Sequence, residues 1–157
     1  MNISEVMTRN VRSCSAGDHL DYAARLMWEN DCGCVPVVDG DGHVTAMLTD
    51  RDICMAAYTQ NQPLSQIPVE SASSRGVFFA RTGDSVETAE RLMQMKQVRR
   101  IPIVDDDQHL VGILSLNDLA RAQHSFGRKA HNGLSTDSIA DTIAAIGEPR
   151  TRPTMTA

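Results

Sequence analysis

Aromatic side chains are scarce in this chain, with one Trp, two Tyr and three Phe among 157 residues. That is too little π surface for a platform that stacks unpaired nucleic-acid bases, so aliphatics and eight Met must build the core. Positive charge is not in excess either. The formal net charge of −5 argues against general binding to DNA, RNA or an anionic membrane, each of which needs clustered cations. A small anion needs only a local pocket. No run approaches the ~20 apolar residues that span a bilayer, and the opening MNISEVMTRNV lacks the basic-then-apolar layout of a secretory leader. The expected location is cytoplasmic, where Cys14, Cys32, Cys34 and Cys54 stay reduced. The remaining composition, 41% hydrophobic and 22% charged, is that of an ordinary globular protein.

What the chain does have is a repeat. DHLDYAARLM at 18–27 matches DSVETAERLM at 84–93, VPVVD at 35–39 matches IPIVD at 101–105, and MLTDRDI at 47–53 matches ILSLNDL at 113–119. The copies stand 66 residues apart throughout (18 to 84, 35 to 101, 49 to 115), with no gap. A self-match of this kind fixes the architecture before any local reading. The division it suggests is repeat one over 1–62, repeat two over 63–124, and a tail over 125–157.

Each copy reads as a β-α-β-β-α unit, an α/β (α+β) fold. The opening strands are expected near Val11–Ser13 and Val77–Ala80. Asp18 and Asp84 suit N-caps, with Asp21 and Glu87 three residues on. Apolar residues then recur at helical spacing: Leu20, Ala23, Ala24 and Met27 in one copy, Val86, Ala89, Leu92 and Met93 in the other. Next comes a short apolar strand with its Pro near the start, a polar turn, a return strand, and a closing helix after Thr49 or Ser115. Residues 60–70, polar and marked by Pro63 and Pro68, read as a connector. In the tail, SFGRKAHNG reads as loop or frayed helix. A helix over about 136–147 is capped by Ser135 or Thr136 and carries Ile139, Ile143 and Ile146 as a stripe. RTRPTMTA reads as disordered.

These marks together resemble the tandem cystathionine-β-synthase (CBS) domain pair over about residues 3–122. They are VMT at 6–8, the hydrophobic-Pro-hydrophobic steps Val35-Pro36-Val37 and Ile101-Pro102-Ile103, and a Gly-x-x-Ser/Thr-x-x-Asp run, complete as Gly112, Ser115 and Asp118. The resemblance implies two units packed about a pseudo-twofold axis, often paired again into a flat homodimer. It also implies an adenosine-containing ligand (AMP, ADP, ATP, NAD or S-adenosylmethionine) in clefts between the units. The run's Asp would hold the ribose hydroxyls, its Ser/Thr would reach the ribose–phosphate region, and the Pro steps would frame the base. No cofactor is required and no catalytic step is implied; an unidentified regulated protein, or the dimer itself, would read the ligand.

Every one of these residues has a plainer reading. Ser115 with Asp118, and Thr49 with Asp52, fit a helix cap with an acid at N3. The two readings are compatible, because a helix start also offers N–H groups to a phosphate. Gly112 favours ligand approach in copy two. Copy one has Ala46 there, but adds Arg51, whose planar fork suits phosphate. Of Arg99 and Arg100, neighbours on a strand, at most one is expected to reach a given cleft, and Arg100 is preferred. Cys32-x-Cys34 is too tight for the usual zinc spacing and reads as buried thiols; a bridge from Cys14 to Cys32 or Cys34 stays open. His43 and His109 fall in matching, exposed turns. No nucleophile, base and metal set emerges for an enzyme. The rivals are a ligand-free dimerisation module and a metal- or redox-responsive protein using the cysteines.

Overall fold

A computed structural model describes residues 1–126 and 134–149. Each repeat folds as expected, into a three-stranded sheet with two helices. In the first, β1 (Cys14–Ser15) pairs parallel with β2 (Cys34–Val38), which pairs antiparallel with β3 (Val44–Thr49). Helix α1 (Leu20–Glu29) crosses from β1 to β2, and α2 (Asp50–Gln60) follows β3. The second repeat has β4 (Ala80–Arg81), α3 (Val86–Lys96), β5 (Arg100–Val104), β6 (Leu110–Ser115) and α4 (Leu116–Phe126), with the same sheet order. A final helix, α5 (Thr136–Gly147), starts at a capping box on Ser135.

The opening strands begin three residues later than the sequence suggests, at Cys14–Ser15 and Ala80–Arg81. Asp18 and Asp84 are not N-caps. Each carboxylate instead accepts the N–H of the residue three before it, Ser15 at 2.7 Å and Arg81 at 2.8 Å. They close the turn out of the strand, and the helix caps fall one residue on, at His19 and Ser85. Pro36 and Pro102 sit where no third strand is paired yet, since β1 joins β2 only from Val37 and β4 joins β5 only from Ile103.

Residues 60–70 are not a mere connector. Ile67 and Val69 are fully buried in the first repeat's core, among Leu20, Val35, Val37 and Leu48. Ile3 and Met7 do the same for the second core, among Val86, Met93, Ile101 and Leu114. The backbone bonds repeat as well: Val69 N–H to Asp18 O at 2.8 Å matches Ile3 N–H to Asp84 O at 3.0 Å, again 66 residues apart. Each buried aliphatic contributes ~1.5–3 kcal/mol, so the arm is part of the unit it packs on. The packed units therefore exchange segments. Residues 1–8 belong to the second unit, and the division at 62/63 follows the chain rather than the packing.

Continuing beyond these turns, each arm forms a fourth, edge-strand contact. Thr8 exchanges backbone bonds with Ile113 of β6 at 2.9 and 3.0 Å, and Ser74 bonds Met47 of β3. The hairpin tips meet at the pseudo-twofold axis. There the His43 and His109 rings stack with centroids 4.9 Å apart, and Leu110 N–H donates to Gly42 O. These histidines are half-buried, not free in solvent as their polar turns suggest. The stretch RTRPTMTA and most of SFGRKAHNG fall at 150–157 and 127–133, outside the described residues.

Candidate functional site

Thr49 and Ser115 cap α2 and α4 in the same way. Asp52 Oδ2 accepts from Thr49 N–H at 2.9 Å and Thr49 Oγ1 at 2.6 Å, while Asp52 N–H donates to Thr49 Oγ1 at 3.2 Å. In copy two, Asp118 Oδ2 accepts from Ser115 N–H at 2.8 Å and Ser115 Oγ at 2.6 Å. Both capping boxes are therefore real, and each consumes one carboxylate oxygen.

The copies part at the other oxygen. Asp118 Oδ1 is bonded by Thr8 Oγ1 at 3.3 Å and ion-paired with Arg121, and its side chain is 4% exposed. Asp52 Oδ1 has no such partner among the described residues, and Asp52 is only half-buried. The reason is one turn along the helix, where Met55 stands at the place of Arg121.

A cavity of about 850 Å³ opens beside the first copy's helix start. Thr49, Arg51 and Asp52 form one side; Arg99, Arg100, Gln97 and Val98 of the second repeat form the other. Ser74, Gly76, Val77 and Phe78 close it as an interrepeat wall, with Cys34 behind and Ile146 of α5 at the edge. Arg99 lies just before β5 rather than in it, so it does not alternate with Arg100, and both reach this cavity. None of Arg51, Arg99 and Arg100 makes an ion pair among the described residues, whereas Arg81 and Arg121 do. Within an acidic chain the cleft thus gathers three uncommitted guanidinium groups against Asp50 and Asp52.

The remaining candidates are placed differently. Val35, Val37, Ile101 and Ile103 are core residues with at most 1% exposure. Pro36 and Pro102 are buried in their strands; none of these six lines the cavity, and neither do Gly112, Ser115 and Asp118. Gly112 is small for a reason internal to the fold. A Cβ there would lie 2.7 Å from Met7 Sδ and 3.0 Å from Thr8 O, so the incoming arm makes the close approach. The Ala46 methyl is no obstacle, because Ser73 occupies the place equivalent to Met7.

All four cysteines are free. Burial pushes the Cys14 and Cys34 thiols up to about 11, with Arg100 pulling the other way on Cys34. Both are protonated, poor nucleophiles at neutral pH. Cys32 Sγ reaches Cys34 O at 3.4 Å rather than its sulfur. The grouping of metal-capable side chains among the described residues is Asp39, Asp41 and His43 on the exposed hairpin. There Asp39 Oδ1 is already taken by the His43 and Asp41 N–H groups, which hold its carboxyl below the usual range, His43 most strongly. Sequence reasoning missed Gln97, Ser74, Phe78 and Ile146, which come together only through the arm and α5. The Met55–Arg121 contrast, by comparison, was legible in the repeat alignment.

Two repeats of one β-α-β-β-α unit, exchanging arms across a shared cleft, define the class, and comparison with known proteins gives the same answer. The CBS domain family matches twice, at residues 3–58 and 69–125, and this chain belongs to it. Bacillus subtilis YhcV, a CBS domain-containing protein, is 38% identical over 79% of this chain and 86% of its own length. The structure of hypoxic response protein I with two coordinated zinc ions shares 26% identity and a TM-score of 0.72, covering 78% of this chain and 99% of that one. CBSX2 in complex with AMP shares 25% identity and a TM-score of 0.71, covering 81% and 98%. No helix among the described residues is long and apolar enough to cross a membrane.

Proposed function

We propose that this protein is a non-catalytic regulatory module that binds one phosphate-bearing adenosine ligand per chain, in the cleft at Thr49, Arg51 and Asp52. The observation that carries the reading is that, among the described residues, Asp52 Oδ1 has no partner and the three arginines lining the same cavity make no ion pair. A cis-diol needs an acceptor oxygen, and phosphate needs donors without competing anions. The α2 N-terminus adds partial positive charge, although its first N–H groups are already bonded within the cap and to Gly33 O. Phe78, 46% exposed with Lys96 Nζ 4.4 Å from its ring centroid, supplies a face for the base. The AMP complex of CBSX2, a protein of the same family, supports an adenine nucleotide here. The three arginines favour AMP, ADP, ATP or NAD over S-adenosylmethionine, whose sulfonium adds positive charge.

This assignment moves the preferred site from Ser115–Asp118, whose carboxylate is fully engaged, to Thr49–Asp52. Isothermal titration with AMP, ADP, ATP, NAD and S-adenosylmethionine tests it. One site per chain for a phosphate-bearing member, lost in Asp52→Ala, is the expected result. No binding across the panel favours the ligand-free dimerisation module. The homodimer belongs to the proposal as well: Trp28 is 89% and Tyr58 80% exposed on the first repeat's helices, and sedimentation of the full chain would show whether a second copy covers them.

A further inference from the structure

Helix α5 lies along α3 in a polar ladder with one rung per turn. Ser138 Oγ donates to Glu90 Oε1 at 3.2 Å, Gln94 Nε2 donates to Thr142 Oγ1 at 2.7 Å, and Gln97 Nε2 donates to Ala145 O at 3.3 Å and Glu148 O at 3.0 Å. The last rung stands at the cleft. Gln97 lines the cavity, Ile146 contributes to its wall, and Arg99 and Arg100 follow within three residues. Gln97 is also the left-handed cap of α3, at φ 50°, with its own N–H held by Gln94 O at 3.2 Å. The Gln97 side chain thus ties α5 to the short segment that leads into Arg99 and Arg100. In the first repeat the matching positions are Ala24, Trp28 and Asp31, and no such ladder exists there among the described residues.

We propose that α5 and the arginine side of the cleft form one cooperative unit, so that docking of α5 orders Gln97–Arg100 and a phosphate-bearing ligand gripping those arginines holds α5 in place. The ligand half rests on the proposed function; the coupling of α5 to the segment does not. Coupling of this kind is reciprocal: whatever factor the ligand adds to α5 docking, docking adds to affinity. Ile146 gives the sign, since a ligand in the cleft gains an apolar wall only while α5 is docked.

The test is hydrogen exchange on the full chain, with and without saturating ATP, in two variants that act away from the cavity. Thr142→Ala removes the middle rung and Glu90→Gln relieves a buried carboxylate while keeping an acceptor for Ser138. Without ATP, Thr142→Ala should speed exchange in α5 and at the Gln97 and Val98 amides together, and Glu90→Gln should slow both. ATP should slow α5 exchange in the parent, and Thr142→Ala should weaken ATP binding by ~5-fold or more. Variants that change α5 exchange while Gln97 and Val98 keep theirs overturn the coupling, as does ATP loosening α5 or binding Thr142→Ala as tightly as the parent. If ATP binds the parent at no concentration, the nucleotide reading falls, and the ligand-free comparison still decides the coupling. If Thr142→Ala does not fold, Glu90→Gln, with its opposite expected sign, decides it.

Discussion

The two capping aspartates are the same residue at the same place in a repeated unit, yet one is spent and the other is available. Asp118 has both oxygens engaged, one in its capping box and one by Thr8 and Arg121. Asp52 keeps the box and leaves Oδ1 open, because Met55 cannot do what Arg121 does. Duplication gives two matching helix starts, and Thr8 together with the Arg121 cation engages the second carboxylate oxygen in only one of them. The lesson is that a matched motif locates a helix start, while its neighbours determine whether that start can accept a ligand.

That contrast is most easily broken at the acids themselves. Asp52→Ala should weaken nucleotide binding by ~2–3 kcal/mol, the scale of hydrogen bonds to a charged acceptor, and lower fold stability by ~1 kcal/mol through loss of the cap. Asp118→Ala should do the reverse. Titration calorimetry should show unchanged stoichiometry, while denaturant unfolding should show ~2 kcal/mol lost, since a buried and satisfied carboxylate is removed. Loss of binding in Asp118→Ala alone would return the site to copy two.

Gly112 separates the repeats for a steric reason. Gly112→Ala should destabilise by ~1–2 kcal/mol by overpacking against Met7 and the Thr8 carbonyl. Adding Met7→Ser, which copies the first repeat's pairing of Ala46 with Ser73, should recover part of that loss in thermal unfolding. A fully tolerated Gly112→Ala would mean that the arm yields easily. Met55→Arg tests the origin of the open site. It places a guanidinium one turn after Asp52, as in copy two, and should weaken nucleotide binding about tenfold, or ~1.4 kcal/mol. An unchanged dissociation constant would show that an arginine at this place does not take up the open carboxylate oxygen.

The repeat, the order of elements and the α5 boundaries could all be read from the sequence, because a gapless duplication and a Ser135 cap leave little latitude. The site was legible only in part. Thr49, Arg51, Asp52 and Arg100, all expected at a site, line the cavity, whereas Gly112, Ser115 and Asp118 do not. A glycine reports that something comes close, not what comes close, and here it is Met7 from a segment more than a hundred residues away. Arg99 was set aside by strand alternation, which fails because the strand begins one residue later. Ile67 and Val69 were hidden in a polar, Pro-marked stretch whose hydrophobic residues are few but wholly buried. Such errors share one origin: arm exchange puts sequence-distant residues on each unit's edge, and no local pattern encodes it.

The second repeat's helices differ from the first's in being covered, and the smallest expected effect probes that cover. Glu90 is a buried carboxyl facing Ser138, and desolvation raises its pKa, with the Glu87 charge adding to the rise and the Ser138 bond opposing it. A carboxyl that holds its proton more tightly when folded favours folding most when protonated. The penalty is therefore absent below the ordinary glutamate value of 4.5 and complete above the raised one. Stability from this residue accordingly falls as pH rises through that window, opposite to a salt-bridged acid. Glu90→Gln should remove the dependence: more stable than the parent at pH 7, with the two curves converging as the pH is lowered toward 4. Ala24, at the equivalent place on α1, carries no charge, so a matching slope reported from the first repeat's amides would trace the pH effect to some other group than Glu90.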